Sequence, residues 1–430
     1  MCCSGDPCPR AAAIRKTAAY SAEPMRAPMC RRPSAARRAV VLATAWVLGC
    51  GRSPSFGERE PFIPRDSAEV LARVPAVGVD ARARERAALR KALAGHAGQL
   101  DMALRLARLE VEASRVLGEP RYLGRAQAVL RPWWELATPP LGVRLVRATF
   151  HHARRDFPAA LEDLDAVVKE DPGNVDAWLL RAEVLGIRGE HAEAAHSCAR
   201  LTALTSSLTV AVCEARVRSL AGHSRKAHAL LSEALRRSER SQESRTRALA
   251  TLAEAAALAG DAGLAERYFL RAISLDSKDY AARAAYADLL LDAGRAREAA
   301  VVVMDHTQDD RLLLRHALAE NALRSSRAPE VAHALSRRFE ESRLRGDSLL
   351  AREEARFALQ VEKAPEKALR LAQAVWASQR EPWDVRLLIE AALAAGRPEA
   401  ARPALDFLQA SGCEDPGLVF LAERVRSLLP

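Results

Sequence analysis

Apolar side chains recur three or four positions apart over most of the chain, a spacing that places them on one face of an α-helix. In the middle of the chain these helical segments come in pairs separated by short turns. A small residue marks each pair at a nearly constant interval, with gaps of 34, 34, 33, 38 and 34 residues between Ala126, Ala160, Ala194, Ala227, Ala265 and Ala299. A fixed period of this length predicts a helical solenoid, in which each pair of helices packs against the next.

Glycine occupies a second fixed position of the repeat. If the marker alanine is numbered 20, the six units start at Ala107, Leu141, Val175, Leu208, Thr246 and Tyr280. Four of them have glycine at position 15, namely Gly189, Gly222, Gly260 and Gly294. Glycine readily takes the left-handed conformation that ends a helix and lets the chain reverse. Each unit is therefore predicted to be a helix, a tight turn and a second helix.

One unit matches the residue pattern of a known repeat at more positions than the others do. The unit that starts at Val175 has Trp178, Ala182, Gly189 and Ala194 at positions 4, 8, 15 and 20, and an Asp-Pro-Gly-Asn loop at 171–174 precedes it. This pattern resembles the tetratricopeptide repeat (TPR) family over residues 107–313. Departures are Leu201 at position 27 of this unit, where the family has a small residue, Arg144 at position 4 of the preceding unit, and Ser277 where the family has proline. The resemblance implies a right-handed superhelix whose inner surface is formed by the first helix of each pair.

Further helices are predicted on both sides of the six units. Three degenerate helix pairs are expected over 314–415, and a single amphipathic helix over 416–430 is expected to cap the end of the solenoid. Residues 66–106 have a helical apolar pattern and are predicted to hold an N-terminal cap or a degenerate repeat. The predicted fold class is all-α, a superhelical solenoid of antiparallel helix pairs with a C-terminal capping helix.

The start of the chain has a different pattern. Four arginines at 31, 32, 37 and 38 precede an apolar run over 39–48, and Gly49-Cys50 follows. A basic segment, about ten apolar residues and a small residue before the cut are typical of a secretory signal peptide. The cysteine makes the segment resemble the lipobox of bacterial lipoproteins, which implies cleavage after residue 49 and lipidation of Cys50. Residues 50–65 are then a flexible tether. The alternative is a chance apolar segment in a cytoplasmic protein.

The net positive charge of the chain falls once the predicted signal peptide is removed. The whole chain has 65 basic and 55 acidic residues, but residues 1–49 hold 8 of the basic and 2 of the acidic ones, which leaves 57 and 53. The remaining charges are interspersed along helices, as on an ordinary solvated face. A nucleic-acid partner needs a concentrated basic face, so none is expected.

No sequence motif predicts catalysis. The chain has no glycine-rich phosphate loop, no Gly-x-Ser-x-Gly and no His-Glu-x-x-His segment. Neighbouring His151 and His152 point about 100° apart on a helix, which is poor for joint metal binding. We therefore expect no enzymatic activity, no cofactor, no metal and no small-molecule substrate. A catalytic patch outside the repeat pattern stays open as an alternative.

Two cysteines in the middle of the chain could form a disulfide. Cys198 falls on the second helix of one unit and Cys213 on the first helix of the next, and such helices lie side by side in a solenoid. An oxidising compartment would allow the bond. The alternative is that both are small buried apolar residues.

The candidate binding residues follow from the family resemblance, which implies that partners contact the first helix of each unit. These candidates are Thr149, His152, Asp176, Glu183, Arg216, Glu254 and Asp288. The later ones are mostly acidic, so the groove is expected to accept an extended or helical protein segment with some basic character. Equally open is that these residues only keep the inner face hydrated.

The leading functional prediction is a lipid-anchored periplasmic scaffold that binds protein partners in the bacterial cell envelope, with the outer membrane favoured. The alternatives are an envelope enzyme or enzyme subunit with a catalytic patch outside the repeats, and a cytoplasmic TPR adaptor.

Overall fold

The computed structural model describes residues 81–96, 98–117, 119, 121–238, 242–344 and 350–429. The predicted signal peptide, the lipidation site Cys50, the tether and residues 66–80 lie outside these residues. In the part of the chain that the structure describes, the regular elements are twenty α-helices, numbered α1 to α20 in chain order, and three short 3-10 helices. The all-α fold class is therefore confirmed. None of the described helices is both long and apolar enough to cross a membrane.

The helices form nine successive pairs within the described residues. The first helix of each pair is even-numbered: α2 (Leu100–Leu117), α4 (Leu141–Ala153), α6 (Val175–Arg188), α8 (Ser207–Leu220), α10 (Gln242–Leu258), α12 (Tyr280–Asp292), α14 (Asp310–Ala322), α16 (Ala351–Gln360) and α18 (Pro382–Ala394). The second helix is odd-numbered: α3 (Arg121–Trp134), α5 (Phe157–Glu170), α7 (His191–Arg200), α9 (Ser224–Arg236), α11 (Ala262–Leu275), α13 (Ala296–Val303), α15 (Ala328–Leu344), α17 (Pro365–Trp376) and α19 (Arg402–Ser411). Single helices lie at the two ends: α1 (Ala81–Ala94) and α20 (Pro416–Arg426).

The even-numbered helices form one continuous layer. Each of them, from α2 to α18, packs against its odd-numbered partner and also against the next even-numbered helix, and α18 packs on α20. In a curved stack the layer with the closest successive contacts lies on the inner side. We call the even-numbered helices the inner layer.

The turns between paired helices have the conformation that the glycines predict. Gly189, Gly222, Gly260 and Gly294 have φ values of 80°, 90°, 85° and 73°. The loop before α6 is fixed by side chains, because Asn174 accepts a hydrogen bond from the N–H of Ala177 and the indole N–H of Trp178 donates to the carbonyl of Pro172 at 2.9 Å. Such a cap satisfies one of the free N–H groups of the first turn.

Small and large residues alternate in the core at the repeat positions. The six marker alanines are buried, and so are the larger residues four positions later in five units, which are Leu130, Leu164, Leu231, Phe269 and Val303. Burial of one such large side chain is worth about 1.5–3 kcal/mol. Because an alanine faces each close helix contact, a larger residue there would overpack the core.

A disulfide joins two neighbouring units. Cys198 of α7 and Cys213 of α8 are bonded in the structure, with their Cα atoms 5.7 Å apart and a sequence separation of 15. This Cα separation is ordinary for a disulfide. The bond closes the loop that contains the 3-10 helix Leu201–Ala203 and holds α8 beside the preceding pair.

The last helices also contact turns far back in the chain. The N–H of Arg380, just before α18, donates to the carbonyl of Ile187 at 2.8 Å, and the N–H of Glu414 donates to the carbonyl of Gly222 at 2.9 Å. Pro416 at the start of α20 lies against Gly260. Solenoid units usually contact only their neighbours. Here the C-terminal segment docks on the turns of three earlier units, which adds contacts to the capping role expected for the last helix.

Candidate functional site

The inner layer carries all seven residues that the sequence nominated for partner binding. Thr149 and His152 are on α4, Asp176 and Glu183 on α6, Arg216 on α8, Glu254 on α10 and Asp288 on α12. The structure does not gather them into one site. Four lie in or beside one ion cluster, Asp288 lies in another, and Thr149 and Asp176 lie outside both.

The first environment is an ion cluster centred on Arg216. Its guanidinium lies 3.6 Å from a carboxylate oxygen of Glu183, 3.7 Å from one of Glu254 and 3.9 Å from one of Glu381. We call these four residues the Arg216 cluster. All three distances exceed hydrogen-bond range, and the Nε of Arg216 is buried without a hydrogen-bond partner. Arg216 and Glu183 keep 35% and 40% of their side-chain surface exposed. The cluster is therefore loosely paired and partly open to solvent.

The pKa values of this cluster reflect both burial and the central cation. Burial would raise the pKa of Glu183, but His152 and Arg216 outweigh it and lower that pKa. Burial raises the pKa of Glu254, and Arg216 offsets only part of the effect. Burial alone would lower the pKa of Arg216, yet Glu183, Glu254 and Glu381 raise it. Arg216 therefore remains charged, and Glu254 is the one of these glutamates beside Arg216 whose pKa stays raised by burial.

His152 borders the same cluster. Its Nε2 is buried and has no hydrogen-bond partner, and its ring packs 6.2 Å from that of Phe157. Burial lowers the pKa of His152, with Arg155 and Arg216 acting in the same direction and Glu183 opposing them. His152 is therefore a neutral donor or acceptor at the edge of the groove at neutral pH.

Asp288 belongs to a second environment, which the sequence did not reveal. Arg315 of α14 and Arg356 of α16 each donate a hydrogen bond to its carboxylate at 2.6 Å. Burial would raise the pKa of Asp288, but the two arginines lower it. The carboxylate is saturated by its own chain. The acidic character expected for the later part of the groove is thus neutralised by arginines of later helices.

A related cluster fixes the start of α18. Nη2 of Arg352 donates to Glu381 at 2.7 Å and to Asp384 at 2.8 Å. We call Arg352, Glu381 and Asp384 the α18 cluster. Asp384 also accepts from the N–H of Glu381 at 3.0 Å, so it caps its own helix. Burial raises the pKa of Asp384 to about 6, although Arg352 opposes the shift.

Thr149 and Asp176 contribute less to a binding surface. The hydroxyl of Thr149 donates to the carbonyl of Leu145 at 2.9 Å, which uses its donor within α4. Asp176 is exposed in the first turn of α6, where its charge complements the helix N-terminus.

The charged residues of these clusters that the sequence did not predict are Arg315, Arg352, Arg356 and Glu381. Charged residues at inward-facing positions after residue 313 could have indicated them. Those positions were not assigned, because the spacing of the small residues becomes irregular there.

An apolar cavity of about 190 Å³ lies beside the Arg216 cluster, between α6, α8 and the start of α10. Its wall is mostly apolar, and the polar part consists of Glu183, Arg216 and Arg247 together with Thr209 and Ser244. We call it the inner pocket; its apolar lining is Leu179, Ala182, Leu208, Val212, Cys213, Val217 and Leu220. Pockets for drug-sized ligands are roughly 300–1,000 Å³. The inner pocket instead has the size for one large side chain of a partner.

Metal chemistry has no obvious place in the described part of the chain. Within it, no group of three or more His, Cys, Asp or Glu side chains is arranged to hold a metal ion.

Comparison with known proteins gives only distant likenesses. No protein-family model matches the chain, and no curated protein matches it. Among solved structures, PilW, described as a widely conserved type IV pilus biogenesis factor, is 20% identical, with 46% of this chain and 94% of that chain covered and a TM-score of 0.38. A tetratricopeptide repeat protein from Parabacteroides merdae is 14% identical, with 68% and 98% covered and a TM-score of 0.35. The human IFIT1 dimer with PPP-AAAA is 12% identical, with 80% and 87% covered and a TM-score of 0.44.

The class of protein follows from the helices of this chain itself. Nine antiparallel helix pairs, a continuous inner layer and left-handed glycines at four turns define a tandem helix-hairpin repeat of the TPR-like type.

Proposed function

We propose that this chain is a lipid-anchored scaffold of the bacterial cell envelope that binds protein segments along its inner layer. The observation that carries the proposal is the inner pocket beside the loosely paired Arg216 cluster. It offers a partner one apolar anchoring position and adjacent charges that its own chain has not saturated. The envelope location is supported by the residues that lead to Cys50.

The mode of binding follows from the geometry of the cluster. A partner places an apolar side chain in the inner pocket and a basic side chain against Glu183 and Glu254. Contacts of 3.6–3.9 Å to Arg216 are weak enough to be exchanged for hydrogen bonds with the partner. Buried apolar anchors flanked by charges are the usual source of specificity in such interfaces. The role is one of binding and not of catalysis.

A double charge reversal tests the binding mode. Glu183→Lys with Glu254→Lys is expected to reduce the recovery of partners from cross-linked envelope fractions, because the basic segment then meets like charge. Glu170→Lys with Glu193→Lys makes the same charge change at exposed positions of the odd-numbered helices α5 and α7 and is the matched control. An unchanged set of partners with the first variant, or an equal loss with both, would count against the groove.

The anchor is tested separately. Metabolic labelling with a radioactive fatty acid is expected to label the wild-type chain and not Cys50→Ser, because acylation needs the cysteine thiol. A wild-type chain that remains unlabelled in a bacterial host with a lipoprotein pathway would contradict the anchor while leaving the groove untouched.

A further inference from the structure

The N-terminal end of the repeat contains a buried cation that forms no ion pair with a carboxylate of the described residues. Arg82, Arg86 and Arg90 lie four residues apart on α1 and so share one face. Arg82 pairs with Glu112 of α2 and Arg90 with Glu110 of α2. Arg86, between them, is only 8% exposed, and its Nε is buried without a hydrogen-bond partner among the described residues. Within the described part of the chain, the most buried of the three arginines is therefore the one that has no ion pair with a carboxylate.

The guanidinium of Arg86 contacts an aromatic ring and not a carboxylate. Its guanidinium carbon lies 5.6 Å from the ring centre of Tyr122 on α3. The guanidinium groups of Arg121 and Arg125 lie 5.4 Å and 4.8 Å from the same ring centre. Three cations thus converge on one ring, and Glu119, which pairs with Arg121, is the acidic residue found with them. Around the ring itself, three guanidinium groups therefore stand against one carboxylate.

The arrangement is unfavourable without an anion. Stacking on an aromatic ring is worth only about 0.5–2 kcal/mol and supplies no hydrogen-bond acceptor for guanidinium N–H groups. A buried charge without a counter-charge is costly, and three neighbouring cations repel one another. An anion with several oxygens would remove both penalties, because each guanidinium can donate two parallel hydrogen bonds.

We propose that Arg86, Arg121 and Arg125, arranged around Tyr122, form a binding site for a phosphate group. A tetrahedral phosphate presents oxygens in several directions and so suits guanidinium groups that arrive from α1 and from α3, whereas a planar carboxylate has only two oxygens. The phosphate comes either from free inorganic phosphate or from the headgroup of an anionic phospholipid. The site lies apart from the inner pocket and does not depend on the proposed partner-binding function.

Two probes distinguish the sources, both used with the full chain carrying Cys50→Ser so that no acyl chain contributes. Inorganic phosphate is titrated by calorimetry, and vesicles of phosphatidylglycerol are compared with vesicles of phosphatidylcholine in a sedimentation assay. Binding of at least one probe is expected, with phosphatidylglycerol preferred over phosphatidylcholine if the headgroup is the source. Failure of both inorganic phosphate and phosphatidylglycerol to bind would overturn the proposal.

The variants identify the site. Arg125→Gln removes an exposed guanidinium of the cluster and is expected to weaken binding about tenfold, since a hydrogen bond to a charged group is lost. Arg86→Gln is expected to weaken it at least as much, with folding checked by circular dichroism. Arg84→Gln, which makes the same charge change at an exposed position of α1 outside the cluster, is the control and is expected to have less than about a twofold effect.

The effects of these variants on the two assays identify the ligand. If vesicle binding follows this order of variants, the ligand is the lipid headgroup, and if only the calorimetric titration follows it, the ligand is free phosphate. An equal loss with Arg84→Gln and Arg125→Gln would show a general charge effect and overturn the site, as would unchanged binding by Arg125→Gln and Arg86→Gln.

Discussion

The Arg216 cluster and the α18 cluster share Glu381 but differ in how firmly they are paired. Arg352 donates hydrogen bonds of 2.7 and 2.8 Å to carboxylates that are almost fully buried, whereas Arg216 has contacts of 3.6–3.9 Å and remains about one-third exposed. Similar residue types therefore serve two purposes. The α18 cluster fixes the start of α18, and the Arg216 cluster is the one that we propose to bind a partner.

Removal of the central arginine from each cluster should show the difference most clearly. Arg352→Met leaves Glu381 and Asp384 buried without their cation and is expected to cost about 3–5 kcal/mol in the free energy of unfolding. Arg216→Met removes only long contacts and is expected to cost less than about 1 kcal/mol. Urea unfolding of the two variants measures both values. Equal costs would contradict the distinction between a structural and an available cluster.

The disulfide stabilises the half of the molecule that holds the Arg216 cluster, since Cys213 precedes Arg216 by one helical turn on α8. Replacement of Cys198 and Cys213 by alanine is expected to lower the free energy of unfolding by about 3 kcal/mol, the chain-entropy value for a loop of this length. Cys413→Ala, at the free cysteine of the described part of the chain, is the matched control. The bond itself is tested by a thiol count on denatured, unreduced protein, and full reactivity of both cysteines would contradict it.

Alanine substitutions at two turn glycines distinguish the cost of backbone strain from the cost of disturbing the docked C-terminal segment. At Gly222 an added Cβ would lie 2.6 Å from the Cα of Cys413, whereas at Gly294 it would meet no atom within 4 Å. Both have positive φ, so alanine costs about 1–2 kcal/mol at either position. Gly222→Ala is expected to cost about 1–3 kcal/mol more, because the clash displaces the segment.

The readout for these two variants is urea unfolding together with limited proteolysis around residue 413. Gly222→Ala should be cleaved there faster than the wild type, and Gly294→Ala should not. Equal stability and equal cleavage of the two variants would show that the C-terminal segment does not dock on this turn.

The smallest expected effect is on the pH dependence of stability. Burial lowers the pKa of His191, whose ring packs 5.8 Å from that of Phe407 in the C-terminal helices, below its ordinary value of 6.5. The folded chain therefore binds fewer protons than the unfolded chain, so this contribution is complete above pH 6.5 and is lost as the pH falls below it. Asp384, with a pKa raised to about 6, acts in the opposite direction below that pH.

His191→Gln is accordingly expected to lose less stability than the wild type between about pH 7 and pH 5. The free energy of unfolding at both pH values measures this, and identical slopes for His191→Gln and the wild type would contradict the assignment.

Much of the fold could be predicted from the sequence because it depends on local spacing. The alanines at a period near 34 and the glycines at the turns specify helix pairs, and the left-handed φ of Gly222 follows from residue type. The close approach of Cys413 to Gly222 could not be predicted, because it depends on how far the stack curves over some 190 residues. The sequence explains this glycine by its left-handed φ alone. The structure adds a second reason, the close approach of Cys413.

The site was less predictable than the fold. Glu183, Arg216 and Glu254 could be nominated from the repeat position that faces inward, and the structure brings these three together. The arginines that neutralise Asp288 come from helices beyond residue 313, where the small-residue pattern no longer gives the phase. Pairing across several helices depends on geometry that no local spacing records.

A photo-cross-linking amino acid at Val212, in the wall of the inner pocket, tests the central claim most directly. In living cells it is expected to form covalent protein adducts that are absent when the cross-linker is at exposed position Glu170 and that disappear in the Glu183→Lys, Glu254→Lys background. No adduct at Val212, or the same adducts from both positions, would show that the inner layer is not where this protein binds its partners.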